Sequence, residues 1–243
     1  MLIDDLRCIF AITLKDLRAY YFKPPNISWG ILFPFAFLLA FTLRSPGSPE
    51  TLVPGLLGLT LLFGTTSMEA IVITFERRIG ALERLLLAPM RLPALLVGKL
   101  FGGMIFGLIT TAVTLGIAAA VFGLGAVRWA LLMIAVLLSA AAFSALGVLV
   151  SVAVKEVFEA QTLANALRFP MMFLGGVFVP VGSLPRILKV VARFLPLTYS
   201  VEVFQIALSG GSLWRAGLDL AVLALFATVF FVFAVRILAQ RIA

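Results

Sequence analysis

Six apolar runs, near 27–43, 52–75, 95–122, 129–152, 163–181 and 216–235, divide this 243-residue chain. Each is close to the ~20 residues with which an α-helix crosses ~30 Å of hydrocarbon. A soluble fold of this length could not hide them. Hydrophobic residues make up 63% of the chain and the mean hydropathy is +1.17, so the solvent must be lipid. In lipid each backbone polar group needs a partner within the protein, and the expected fold is all-α, a single transmembrane domain of six helices over 1–243. The first run is short and holds Pro34, which predicts a kink. No charged, apolar and small-residue succession marks a cleaved leader, and the first residues are expected to be retained.

Basic residues set the orientation. With the N-terminus inside, the cytoplasmic segments hold Arg7, Lys15, Arg18, Lys23, Arg77, Arg78, Arg84, Arg91, Lys99, Lys155, Arg236 and Arg241. Outside fall Arg44, Arg128, Arg186, Lys189, Arg193 and Arg215. Twelve against six favours both termini in the cytoplasm. Trp29, Trp129 and Trp214 fall at expected interfaces, where an indole prefers to sit.

Two segments read as helices beside the membrane rather than through it. In 1–25, Ile3, Leu6, Ile9, Phe10, Leu14, Leu17 and Tyr21 recur at helical spacing, with Asp4, Asp5, Arg7, Lys15 and Arg18 on the rest of the surface. Pro24 and Pro25 then turn the chain toward the first span. On the external side, 182–215 carries the stripe Leu184, Ile187, Leu188, Val191, Phe194 and Leu195, then a second apolar run from Tyr199 to Leu208. A re-entrant helical pair between spans five and six is the expected solution.

The chemistry is sparse. With no histidine, the commonest general base and metal ligand is missing; with only Cys8, a disulfide framework is excluded. No catalytic residue and no metal site is expected. The net charge of +8 suits cytoplasmic loops on anionic lipid better than nucleic acid. A phosphate-binding loop needs G-x-x-x-x-G-K-[ST]; here Gly98-Lys99 has Pro93 in place of the earlier glycine and Leu100 in place of the hydroxyl. If ATP drives this chain, another polypeptide holds it.

The densest charge lies at 76–94, where Glu76, Arg77, Arg78, Glu83, Arg84 and Arg91 surround Gly80, a triple leucine and Pro89. A charged helix and turn held at the surface by two spans is what a membrane protein needs to feel a soluble partner. Three buried charges, Glu69, Arg168 at the opening of span five and Asp219, are costly in lipid and point to a substrate path, an inter-subunit pair or local salt bridges. Gly98, Gly102, Gly103 and Gly107 satisfy G-x-x-x-G in span three, and Ala140, Ala141, Ser144, Ala145 and Gly147 make span four small-sided. Both features fit dimerisation or close packing within one subunit.

The loop carries a resemblance. Gly80-Ala81-Leu82-Glu83-Arg84-Leu85, then Ala88-Pro89 and Gly98-Lys99, resembles the cytoplasmic loop of ABC-2 type permeases, the membrane subunits of type-2 ABC exporters. Gly175-Gly176-Val177-Phe178-Val179-Pro180 and Leu195-Pro196-Leu197-Thr198-Tyr199 are similar to that family's segments before the last span, with Gly175 where serine is common and Leu195 where asparagine is common. The resemblance implies a half-transporter in the cytoplasmic membrane. It would pair with a second, usually identical copy and with two ABC ATPase subunits, which hold the ATP and Mg. Their closure would be relayed through Glu76, Arg77, Arg78, Glu83, Arg84, Pro89 and Arg91 and felt by the N-terminal helix. Amphipathic drugs or lipids suit the apolar walls. Polysaccharide or lipid-linked glycan export ranks second because only Tyr20, Tyr21 and Tyr199 offer tyrosine rings for stacking sugars. A stand-alone carrier or channel ranks third, lacking repeated broken polar helices.

Overall fold

A computed structural model describes residues 2–242 apart from 25, 29, 31, 33, 34, 38, 40–48, 89 and 124. Much of the first apolar run, with Pro34 and Trp29, lies outside the described residues, as do Arg44 and Pro89. The described positions between Pro24 and Leu39 are helical. The remaining elements are α1 (Leu2–Asp16), α2 (Pro49–Arg78), α3 (Ala81–Leu86), α4 (Leu92–Phe122), α5 (Trp129–Ala153), α6 (Val157–Leu174), α7 (Arg186–Ala192), α8 (Pro196–Ser209) and α9 (Leu213–Ile242).

Among the described residues four helices, α2, α4, α5 and α9, are long and apolar enough to cross a membrane. They differ in depth. The most apolar stretches of α2 and α5 are 72% and 67% buried by the protein, against 33% for α4 and 17% for α9. The first pair is therefore the centre, and the described residues leave most of the surface of the second pair uncovered. α5 earns that place with small residues: Ser139, Ala140, Ala142, Ser144, Ala145 and Gly147 are all buried and let neighbouring backbones approach closely.

The expected span boundaries shift where polar residues continue a helix. α2 runs through Arg78, so Glu76, Arg77 and Arg78 form its last turn rather than a loop. The fifth run, expected at 163–181, is the helix Val157–Leu174. It starts early because the Glu159 carboxylate accepts the backbone N–H groups of Lys155 (3.2 Å) and Glu156 (3.3 Å), a cap that an apolar scan does not register. Arg168 therefore does not open this span; it sits well inside it. Within 182–215 the chain forms α7 and α8. α8 packs against α2, α5 and α9, burying Leu197, Val201, Val203 and Phe204. The stripe read on α7 faces outward, with Ile187 and Phe194 79% and 74% exposed, and Ala192 is what it buries.

α1 lies along α4, with only part of the apolar stripe turned inward. Leu6 and Phe10 are exposed, while Ile12, Thr13, Asp16, Leu17 and Tyr21 are buried. Small residues on α4 explain the change. The Thr13 hydroxyl donates to the Gly98 carbonyl at 2.9 Å, and a Cβ on Gly98 would stand 3.0 Å from Ile12 Cβ. α1 ends in one wide π turn, Leu17–Tyr21, closed by Phe22 N–H to Leu17 O at 2.9 Å.

Candidate functional site

Where α1, α2 and α4 meet, four charges form a closed set. Lys99 Nζ pairs with Asp16 Oδ2 at 2.8 Å and with Glu76, and Lys15 Nζ pairs with Asp16 Oδ1 at 2.9 Å and with Glu76. The side chains of Lys99, Asp16 and Glu76 are wholly buried, and only Lys15 reaches water. Two cations face two carboxylates, so the set is neutral, as a buried charge cluster must be. Burial alone would lower the Lys15 pKa, but its Glu76 and Asp16 partners outweigh this and raise it, and the ammonium stays charged at neutral pH. The cluster fastens the end of α1 and the start of α4 to the last turn of α2.

Two turns earlier on α2 than Glu76, Glu69 is buried. Its Oε1 accepts the Tyr21 hydroxyl at 2.5 Å and the Gly103 backbone N–H at 2.7 Å. The four glycines of α4 make these contacts within one chain. Gly98 and Gly102 meet Ile12 and Tyr21 of the N-terminal segment, whereas Gly103 and Gly107 meet Glu69 and Thr65 of α2.

Beyond the cluster the chain reverses at Gly80, whose φ of 68° is a left-handed conformation that favours glycine. This sets α3 across the ends of the long helices. Leu82 is 2% exposed and packs with Ile12, Leu95 and Leu96, anchoring the short helix from behind. Arg78, Glu83, Arg84, Leu87 and Arg91 are exposed. Two residues read as facing a partner have other contacts: Glu76 belongs to the buried cluster, and Arg77 donates to the Val154 carbonyl at 2.8 Å. There, together with Arg241, it caps the C-terminus of α5. Arg91 lies 3.9 Å from Asp5, which ties the far end of the loop to α1.

A second feature lies among α2, α4, α6 and the helical residues after Pro24. It is a cavity of about 440 Å³. Phe63, Met68, Ile71 and Phe106 supply its apolar wall, and Thr60, Ser67, Thr110, Asn26, Gln161 and Asn165 its polar one. Arg168 also lines it and is 1% exposed. Its Nη1 donates to Ser67 Oγ at 2.7 Å, and its guanidinium stands 5.3 Å from the Phe63 ring centre. The buried charges read from the sequence are thus not brought together. Glu69 is held by Tyr21 and Gly103, Arg168 by Ser67, and Asp219 lies on α9.

Lys15, Asp16, Lys99 and Tyr21 were missed as site residues. Lys99 carried a signal, being the one ionised side chain in a 31-residue helix of high hydropathy. Ser67, Gln161 and Asn165 gave none beyond polarity within an apolar run.

The chain matches the ABC-2 type transporter family over residues 7–209. It belongs to that family. It is 31% identical to Nodulation protein J of Rhizobium meliloti (strain 1021) over 131 residues, 52% of this chain and 50% of that protein. It is 24% identical to Inner membrane transport permease YadH of Escherichia coli (strain K12) over 164 residues, 66% of this chain and 63% of YadH. The match therefore spans about half of the first relative and less than two thirds of the second. The family resemblance read from the sequence holds, and within this ABC-2 chain α2, α4, α5 and α9 are long and apolar enough to cross a membrane.

Proposed function

We propose that this chain is the membrane-spanning subunit of an exporter that moves an amphipathic, drug-like or lipid substrate outward across the cytoplasmic membrane. A separate ABC ATPase supplies the energy and holds the ATP and Mg. Two copies of the chain pair, each with one ATPase, and each has six spans, cytoplasmic termini and α7–α8 as a re-entrant pair on the outer side. YadH is an inner membrane permease by name, which accords with this placement.

One observation carries the reading. α3 shows Glu83, Arg84 and Leu87 to the outside, while Leu82 and the Lys99–Glu76–Asp16 cluster join its foundations to α1, α2 and α4. A push on α3 would reach three helices at once instead of dissipating in a slack loop. ATP binding would then shift the dimer between conformations, and substrate would move because its affinity differs between them.

The test is co-purification of the tagged chain with a candidate ABC ATPase from the same organism, followed by ATPase assay in lipid. The Glu83→Lys variant should fold normally, since Glu83 is exposed. Substrate-stimulated hydrolysis should fall roughly tenfold, because reversing an interface charge sets like charges against each other. Normal assembly, hydrolysis and transport by the variant would reduce the loop to a tether.

A further inference from the structure

The Arg168 guanidinium is held on one side only. Nη1 is fixed by Ser67 Oγ and the ring of Phe63 lies alongside, but Nε and Nη2 have no hydrogen-bond partner. These two nitrogens form one edge of the guanidinium, with parallel N–H groups spaced to meet the two oxygens of a carboxylate or phosphate. Among the described residues lining the cavity there is no carboxylate to meet them. Gln161, two turns earlier on α6, also turns an unpaired carbonyl oxygen into buried space, an acceptor waiting for a hydroxyl or N–H.

An uncompensated cation is expensive away from water, and the chain pays for it here with one hydroxyl and one ring. A residue kept only for packing would not need that charge. The surroundings limit what can complete the shell. Phe63, Met68, Ile71 and Phe106 accept an apolar body, and about 440 Å³ admits a head group with the first part of a tail.

We propose that this cavity recognises the acidic head of an amphiphile, a carboxylate or phosphate ester that takes the free edge of Arg168 and offers a neighbouring hydroxyl to Gln161. The proposal rests on the exporter reading and narrows its substrate class to anionic amphiphiles. In the present conformation water reaches neither free N–H, so a modest rotation of the side chain into the cavity accompanies binding. Ser67 is a positioning residue for the fork.

The test uses the full chain in phosphatidylcholine nanodiscs and four radiolabelled probes: dodecanoate, dodecyl phosphate, neutral dodecanol and cationic dodecyltrimethylammonium. Both acids should bind saturably, their relative affinity separating a carboxylate from a phosphate source. Unlabelled inorganic phosphate should compete poorly, because it lacks the tail. Arg168→Gln should weaken the acids by roughly tenfold to a hundredfold, the range for losing a charge-assisted bidentate pair, and leave dodecanol unchanged. Arg168→Lys should fall between, having the charge without the fork. If Arg168→Gln does not fold, Asn165→Asp decides: it places a carboxylate three residues before Arg168 on the same helix, where it can occupy the fork. That variant should lose the acids and unfold at a higher temperature.

Acid binding unchanged in both Arg168→Gln and Asn165→Asp would overturn the proposal. So would an equal loss of all four probes, or a change of oligomeric state with acid binding intact. Acid binding that depends on Arg168 in a chain with no ATPase partner would refute the exporter reading and leave this site standing. ATPase-coupled transport of neutral amphiphiles, with acid binding indifferent to Arg168, would do the reverse.

Discussion

Replacing Lys99 with methionine is expected to cost about 3–5 kcal/mol, the usual penalty for breaking a buried ion pair by removing one partner. Methionine keeps an unbranched stem of similar length in the slot on α4 and removes only the ammonium. Asp16 and Glu76, both wholly buried, would then share the half-exposed Lys15 and carry a net negative charge. For a chain of this size the loss corresponds to a melting temperature lower by roughly 10 °C, read by circular dichroism in nanodiscs. The double variant K99M/E76Q restores neutrality and leaves the Lys15–Asp16 pair at 2.9 Å. It should therefore recover a substantial part of the loss, a coupling that separate packing defects would not produce. If K99M melts with the wild type, the cluster does not hold α1 to the spans, and the path from α3 into the membrane loses its main joint.

How much of this was legible in the sequence depends on the range of each signal. Apolar run length placed α2, α4, α5 and α9, because crossing hydrocarbon is a local requirement that each segment meets alone. It misplaced α6, because Glu159 starts that helix with a polar cap, and it stopped α2 at 75, because Glu76 and Arg77 resemble loop residues until their partners are known. Those partners are Lys15, Lys99 and Val154, the nearest of them 23 residues away. Counting Lys15 and Lys99 among the basic residues that set orientation gave no hint of their pairing with Asp16 and Glu76. The contact of α1 with α4 was hidden for a related reason. Leu17 and Tyr21 of the apolar stripe are buried, but so are Thr13 and Asp16, because α4 offers glycines and an ammonium there as well as apolar side chains. Arg168 was visible as an intramembrane charge. Its free edge was not, since that depends on Ser67 and Phe63 a hundred residues earlier in the chain.

The second large effect is expected where the two central helices cross. A Cβ added at Gly147 of α5 would lie 2.7 Å from Glu69 Cβ and 3.1 and 3.2 Å from the Thr66 Cα and carbonyl oxygen on α2. Two of these neighbours are backbone atoms, which cannot rotate aside, so α2 and α5 must separate. Overpacking of this kind costs about 1–3 kcal/mol. The damage extends beyond the contact, because Glu69 would be displaced from the Tyr21 hydroxyl and the Gly103 N–H, loosening α1 and α4 together. Gly116 supplies the opposite case on α4: its added Cβ would meet nothing within 4 Å. Gly116→Ala should stabilise by about 0.5–1 kcal/mol, through helix propensity alone. Thermal unfolding of the two variants in the same nanodiscs should thus move in opposite directions. A Gly147→Ala protein as stable as Gly116→Ala would mean that the α2–α5 crossing is slack. In that case Glu69 would need some support other than the close approach of these two helices.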